Sequence, residues 1–140
     1  MGTDIHVVAQ KKTEQGWEDI SFSPFDWRSY GMFGFLADVR NYSAIPPLSQ
    51  PRGLPDDYQA EDMDDYHSMS WLSVNELLAF NYDAEFEDRR VMINGDGGCT
   101  AEPGGGGVTT FRNFLGGRFF DDLNTLRDLG ADRIVFWFDC

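Results

Sequence analysis

Apolar and polar positions alternate from Asp4 to Lys11: Ile5, Val7 and Ala9 fall on one side, Asp4, His6 and Val8 on the other. A period of two predicts a half-buried strand. Thr13-Glu14-Gln15-Gly16 is a turn, and Trp17 to Phe22 can return as a second strand, so the chain opens with a hairpin. From Arg28 to Arg40 the pattern changes. Met32, Phe35, Leu36 and Val39 form one apolar stripe, which predicts a helix. Gly31 and Gly34 each weaken that helix by about 1 kcal/mol relative to Ala, so something is expected to pack close to its backbone there.

Asn41 to His67 reads as a long irregular segment with Pro46, Pro47, Pro51 and Pro55. Irregular stretches of this length in a compact domain are commonly functional or disordered. Ser73-Val74-Asn75-Glu76 fits a capping box and opens a short helix with Val74, Leu77 and Leu78 as its buried stripe. A second irregular stretch runs from Asn81 to Val108, and seven of the thirteen residues from Gly95 to Gly107 are glycine. No Lys-Ser or Lys-Thr follows them, so this is expected to be a flexible loop tip and not a phosphate loop.

Phe111 to Leu115 forms a turn capped by Thr109 or Thr110. Arg118 to Leu129 is the strongest helix, with Phe119, Leu123 and Leu126 on one face and Gly130 as its stop. Ile134 to Phe138 is a continuous run of five apolar residues, which predicts a central strand buried on both faces. The expected architecture is α+β: one small antiparallel or mixed sheet, helices packed on one side, two long loops, and a single domain over residues 1–140.

Composition narrows the function. With 11 basic and 24 acidic residues the net charge is −13, which argues against direct nucleic-acid binding and against an anionic membrane surface. No apolar run approaches the roughly 20 residues of a membrane helix. The start has neither a basic nor an apolar leader region, and residue 6 is His where a myristoylation signal wants Ser or Thr. Cys99 and Cys140 are isolated, and read as free thiols of a cytoplasmic protein. There is no C-x-x-C, hence no ordinary thiolate zinc site.

Both histidines of the chain occur in D-x-H, as Asp4-Ile5-His6 and Asp65-Tyr66-His67. On a strand the two groups of such a pair share a face about 6.5–7 Å apart. Asp4, His6, Asp65 and His67 therefore form a candidate divalent-metal set, with a solvated strand face and an acidic loop as the plain alternative. Arg28, Arg40 and Arg52 stand out in so acidic a chain. Guanidinium forks recognise phosphate or carboxylate, so these three either hold a phosphate-bearing ligand or pair with the chain's own acids.

Several blocks carry a resemblance. They are Met1-Gly2-Thr3-Asp4-Ile5-His6, Phe33 to Asn41, Arg52-Gly53-Leu54-Pro55, Asp65 to Leu72, and Val135-Phe136-Trp137-Phe138-Asp139. They resemble the M-G-x-D-I-H, R-G-L-P, D-x-H-S-x-S-W-L and V-F-W-F-D motifs of a group of small bacteriophage and prophage proteins. The likeness spans most of the chain except the glycine-rich segment. Thr3 stands where that group has Cys, so no thiol acts there. The blocks are rich in polar residues, which implies a shared site of Asp4, His6, Arg40, Asn41, Arg52, Asp65, His67 and Ser68.

Three functions follow as expectations. The first is binding of a phosphate-bearing, nucleotide-like small molecule, in a phage setting by sequestering a host immune signal. Arg28, Arg40 and Arg52 would hold phosphate, Asn41, Ser68 and Ser70 would direct hydrogen bonds, and Trp71, Trp27 or Tyr30 would stack a base. The second is a hydrolase in which the two D-x-H motifs bind a divalent metal. The third is an acidic nucleic-acid mimic that blocks a basic host protein, drawn from the six acids between Asp56 and Tyr66. The apolar final strand leaves room for self-association.

Overall fold

The computed structural model describes residues 2–93, 98–101 and 107–139, with side chains left aside for 91–93 and 98–101. Much of the glycine-rich stretch, and with it the expected loop tip, lies outside the described residues, as do Cys140 and the Cys99 side chain. The fold is α+β. Among the described residues it has a four-stranded antiparallel sheet, two two-stranded sheets and three helices. The chain is organised as two compact units interleaved along the sequence.

The first unit comprises Met1–Arg28, Pro51–Phe80 and Gly117–Cys140. Its sheet contains β1 (Asp4–Thr13), β2 (Gly16–Ile20), β3 (His67–Ser73) and β8 (Arg133–Asp139), in the order β2-β1-β8-β3. The final apolar run is an interior strand, as its composition predicts. The β1 alternation also holds: Ile5, Val7 and Ala9 are buried. They lie opposite Phe138, Phe136 and Ile134 of β8, all fully buried. Each such Phe stabilises the fold by about 2–3 kcal/mol.

β3 begins at His67, the last residue of the predicted irregular segment, and runs on through residues for which no element is predicted. It pairs with β8 through Ser70 to Ser73 and is interrupted by a bulge between His67 and Ser70. At that bulge Ser68 has a φ of 56°, a conformation non-glycine residues adopt at a cost. Helix α2 (Val74–Ala79) begins where expected. Ser73 Oγ accepts from the Glu76 N–H at 3.1 Å, and Glu76 returns to the Ser73 N–H at 2.8 Å. Leu78, expected in its buried stripe, is instead exposed; six residues make too short a helix to bury a broad face.

The second unit comprises Ser29–Gln50 and Asn81–Gly116. Helix α1 (Tyr30–Ala37) is shorter than the predicted Arg28–Arg40, because Ser29 caps its start and Asp38 turns left-handed at its end with a φ of 59°. Every residue from Gly31 to Ala37 is buried, so α1 is enclosed on all sides and not amphipathic. The close approach predicted at its glycines is present. A Cβ on Gly31 would stand 2.6 Å from the Phe114 ring, and one on Gly34 2.6 Å from Asn41 Oδ1.

The predicted irregular stretch 81–108 instead holds four short strands. β4 (Glu85–Glu87) pairs with β7 (Val108–Thr110), and β5 (Arg90–Ile93) with β6 (Gly98–Ala101). Phe86 packs against Phe111 and Phe114 with ring centroids 4.9 and 5.0 Å apart. Helix α3 (Phe111–Asp128) is broken at Gly116, whose φ of 82° and ψ of 169° are not helical. Its two halves are the predicted turn and the predicted long helix. The second half belongs to the first unit, where Phe119 stacks on Phe25 at 4.7 Å.

Candidate functional site

Antiparallel pairing places Asp4 opposite Asp139 and His6 opposite Trp137. Directly paired residues share a face, so His6, Trp137, Gln10 and Arg133 all lie on the side of the sheet away from Ile5, Val7 and Ala9. Segment 51–66 supplies the side chains that meet this face. Trp137 is the floor, with Tyr58, Tyr66 and His6 around it at centroid distances of 6.1, 6.3 and 6.3 Å. His6 also meets Tyr66 edge-on at 5.3 Å. These rings and Met63 line a groove of about 350 Å³, with Glu61 and Asp62 exposed on its rim. Burial and the Asp19 carboxylate push the Tyr58 hydroxyl above its usual pKa, so the ring stays neutral.

A buried cation pins the segment. Arg133, only 6% exposed, donates from Nε to Gln10 Oε1 at 2.8 Å and from Nη1 to Asp57 Oδ1 at 3.0 Å. Its guanidinium lies 3.6 Å from the Trp17 ring centroid. Trp17 Nε1 in turn donates to Asp57 Oδ2 at 2.7 Å. The two donors hold the Asp57 carboxyl below its usual pKa, Arg133 contributing most. Asp57, itself exposed as expected of the acidic run, thus clamps the buried Arg133. Arg133 Nη2 is buried with no hydrogen-bond partner among the described residues.

His6 Nε2 donates to Asp139 Oδ2 at 2.8 Å, and Asp139 Oδ1 accepts from the Asp4 N–H at 3.2 Å. A carboxylate at Nε2 fixes the neutral imidazole with its proton on that nitrogen, so Nδ1 is left as the acceptor. The pair can therefore orient a ligand or accept a proton. Asp4 itself is taken by Arg28, through Nε at 2.9 Å and Nη2 at 3.1 Å, which holds its carboxyl below the usual range. A Cβ on Gly2 would stand 2.0 Å from Arg28 Nη1, so a larger residue there would displace the Arg28 guanidinium.

The proposed metal set does not assemble. His6 stacks on Trp137, whereas His67 stacks on Phe138, its partner in the ladder. Consecutive residues of β8 point to opposite faces, so the two histidines lie on opposite faces of the sheet and cannot share an ion. His67 Nδ1 is 2.9 Å from Ser68 Oγ, and Asp65 is exposed just before β3. Among the described residues no three His, Cys, Asp or Glu side chains are grouped to hold a metal.

The proposed phosphate-binding residues are engaged elsewhere. Arg52 forms a fork on Glu76 at 2.8 and 2.5 Å, donates to the Trp71 carbonyl, and lies 4.9 Å from the Trp71 ring centroid. Ser70 Oγ is buried and accepts from the Arg52 N–H at 3.0 Å. In the second unit, Arg40 sits over Tyr30 and donates to the Tyr42 hydroxyl at 3.1 Å. Asn41 there braces its loop, donating to the Ile45 carbonyl and accepting from the Ile45 N–H. The proposed stacking surfaces are covered as well, Trp71 by Arg52 and Trp27 by Arg118.

Sequence reasoning missed Trp137, Tyr58, Tyr66 and Asp139. The available signal was the alternation within β8. Arg133, Val135 and Trp137 share one face, and a charged residue at its start showed that this face is not simply core. Among the described residues no helix is long and apolar enough to cross a membrane. The chain matches no family model, no curated protein and no solved structure.

Proposed function

We propose that this protein binds a small organic molecule in the groove over Trp137, with a ring or apolar group of the ligand on the indole and His6 as the polar recognition group. One observation carries this. Of the four tryptophans, Trp17, Trp27 and Trp71 each have an arginine over the ring, and Trp137 has none among the described residues. Trp137 instead floors a groove of about 350 Å³ walled by two tyrosines and a histidine. Aromatic walls with one or two fixed polar groups are the usual make-up of a small-molecule site. The Asp139 carboxylate supports the role of His6 by holding its ring in one orientation.

The test is a titration of ¹⁵N-labelled protein with neutral heterocycles, organic cations and organic phosphates, following the indole N–H resonances. Trp137 is assigned by Trp137→Phe. At least one class should shift the Trp137 signal while leaving Trp27 and Trp71 in place, and His6→Ala should weaken that binding. A screen in which every shift falls on the other tryptophans removes the proposal. Native mass spectrometry of the purified protein, beside a denatured sample, then identifies a co-purified ligand.

A further inference from the structure

We infer that the groove over Trp137 is selective for an organic cation, a methylated or protonated amine. This rests on the groove being a ligand site. Three electron-rich rings, Trp137, Tyr58 and Tyr66, border it, and such faces attract a cation placed within about 6 Å of the ring centre. The rim carries Glu61 and Asp62, and among the described residues no lysine or arginine lines the groove. The carboxylate of Asp139, 2.8 Å from His6 Nε2, adds a further acid beside the groove.

The surroundings point the same way. Elsewhere in this unit the protein treats its own tryptophans as cation platforms: Arg133 lies 3.6 Å from the Trp17 centroid, Arg118 4.3 Å from Trp27, and Arg52 4.9 Å from Trp71. Each of those cations also reaches a carboxylate, respectively Asp57, Asp26 and Glu76. The Trp137 groove has the same two components, a ring and nearby acids, with no internal cation among the described residues. A ligand cation would complete it. An anionic ligand would meet Glu61, Asp62 and a protein of net charge −13.

Choline chloride and its uncharged isostere 3,3-dimethylbutan-1-ol separate charge from shape. Both are titrated against the intact protein, reading the Trp137 indole resonance, with benzyltrimethylammonium as a tighter probe and adenosine monophosphate as the anion. Choline should bind at least tenfold more tightly than the isostere. Glu61→Gln with Asp62→Asn, both at exposed positions, should weaken the cations several-fold and leave the neutral compound unchanged. Tyr66→Leu should weaken the cations further, and the other three indole signals report that the fold is kept. Equal affinity for choline and its isostere, or preferential binding of the monophosphate, overturns the cation inference while leaving the groove a ligand site. No shift at Trp137 with any probe overturns both.

Discussion

Glu76→Gln separates the charge of the Arg52 fork from the cap it is built on. Glu76 accepts from the Ser73 backbone N–H and from both Arg52 nitrogens. These interactions, the Arg52 hydrogen bond first among them, lower its pKa from 4.5 to about 2. Each tenfold change in proton affinity is worth about 1.4 kcal/mol, so the full drop corresponds to ~3 kcal/mol before screening. The two side chains are 28% and 31% exposed, and exposed ion pairs yield at most about 1 kcal/mol. A fork geometry at this partial burial places the expected loss at roughly 1–2 kcal/mol near neutral pH. Gln keeps an oxygen for the Ser73 N–H, so the loss reports the charge.

The pH dependence follows from the sign. The folded carboxyl is the stronger acid, so its contribution is complete above the unfolded pKa near 4.5 and is lost as pH falls toward the folded value of about 2. Urea unfolding followed by tryptophan fluorescence at about pH 7, 4.5 and 3 measures the difference between wild type and Glu76→Gln. It should be greatest at neutral pH, unchanged down to about pH 5, and then shrink toward zero. A double-mutant cycle with Arg52→Met should return a coupling of about 1 kcal/mol. A difference under about 0.3 kcal/mol at neutral pH, or one that does not shrink with acid, refutes a stabilising charge interaction in this fork.

The Arg133 clamp should respond asymmetrically. Asp57→Ala strands a buried cation, while Arg133→Met leaves Asp57 to solvent, so the melting temperature should fall further for Asp57→Ala, and hydrogen exchange in segment 51–66 should speed up in both; the reverse order of melting temperatures contradicts the clamp. Gly34→Ala should cost about 2–3 kcal/mol in denaturant unfolding, because the new Cβ meets Asn41 Oδ1 at 2.6 Å. Gly117→Ala, with nothing within 4 Å of the added carbon, should stabilise the helix by up to about 1 kcal/mol, and a loss there counts against the α3 geometry.

Much of the fold was legible because it depends on near neighbours. The β1 alternation, the Ser73–Glu76 capping box and the Gly130 stop all rest on residues within a few positions of one another. The missed elements lack such signals. β4 and β7 have three residues each, too few to show a period, and exist through their mutual pairing. β3 reads His-Ser-Met-Ser-Trp-Leu-Ser, where the bulge and the adjacent Trp71 and Leu72 break a clear alternation; its strand character comes from β8. The site fails for a related reason. The two D-x-H motifs look alike locally, yet which face each histidine takes is set by register against β8, and a bulge intervenes in one of the two pairings. The partner that matters to His6 is 133 positions away.

The arginines show how a strong charge imbalance misleads site reasoning. In a chain with 24 acids and 11 bases, a cation near a structured segment is conspicuous in sequence, and it invites a ligand phosphate. The same imbalance means that a carboxylate is nearly always within reach, and Arg28, Arg52 and Arg133 each find one. Arg40 instead takes a tyrosine ring and a tyrosine hydroxyl. With these arginines so engaged, the proposed recognition in the first unit rests on a surface they do not occupy. Trp137, Tyr58 and Tyr66 form that surface, with His6 held by Asp139 at its side. On the proposed reading, a ligand cation would be chosen by the rings and the rim carboxylates Glu61 and Asp62, and not by the few arginines, which the protein's own groups occupy.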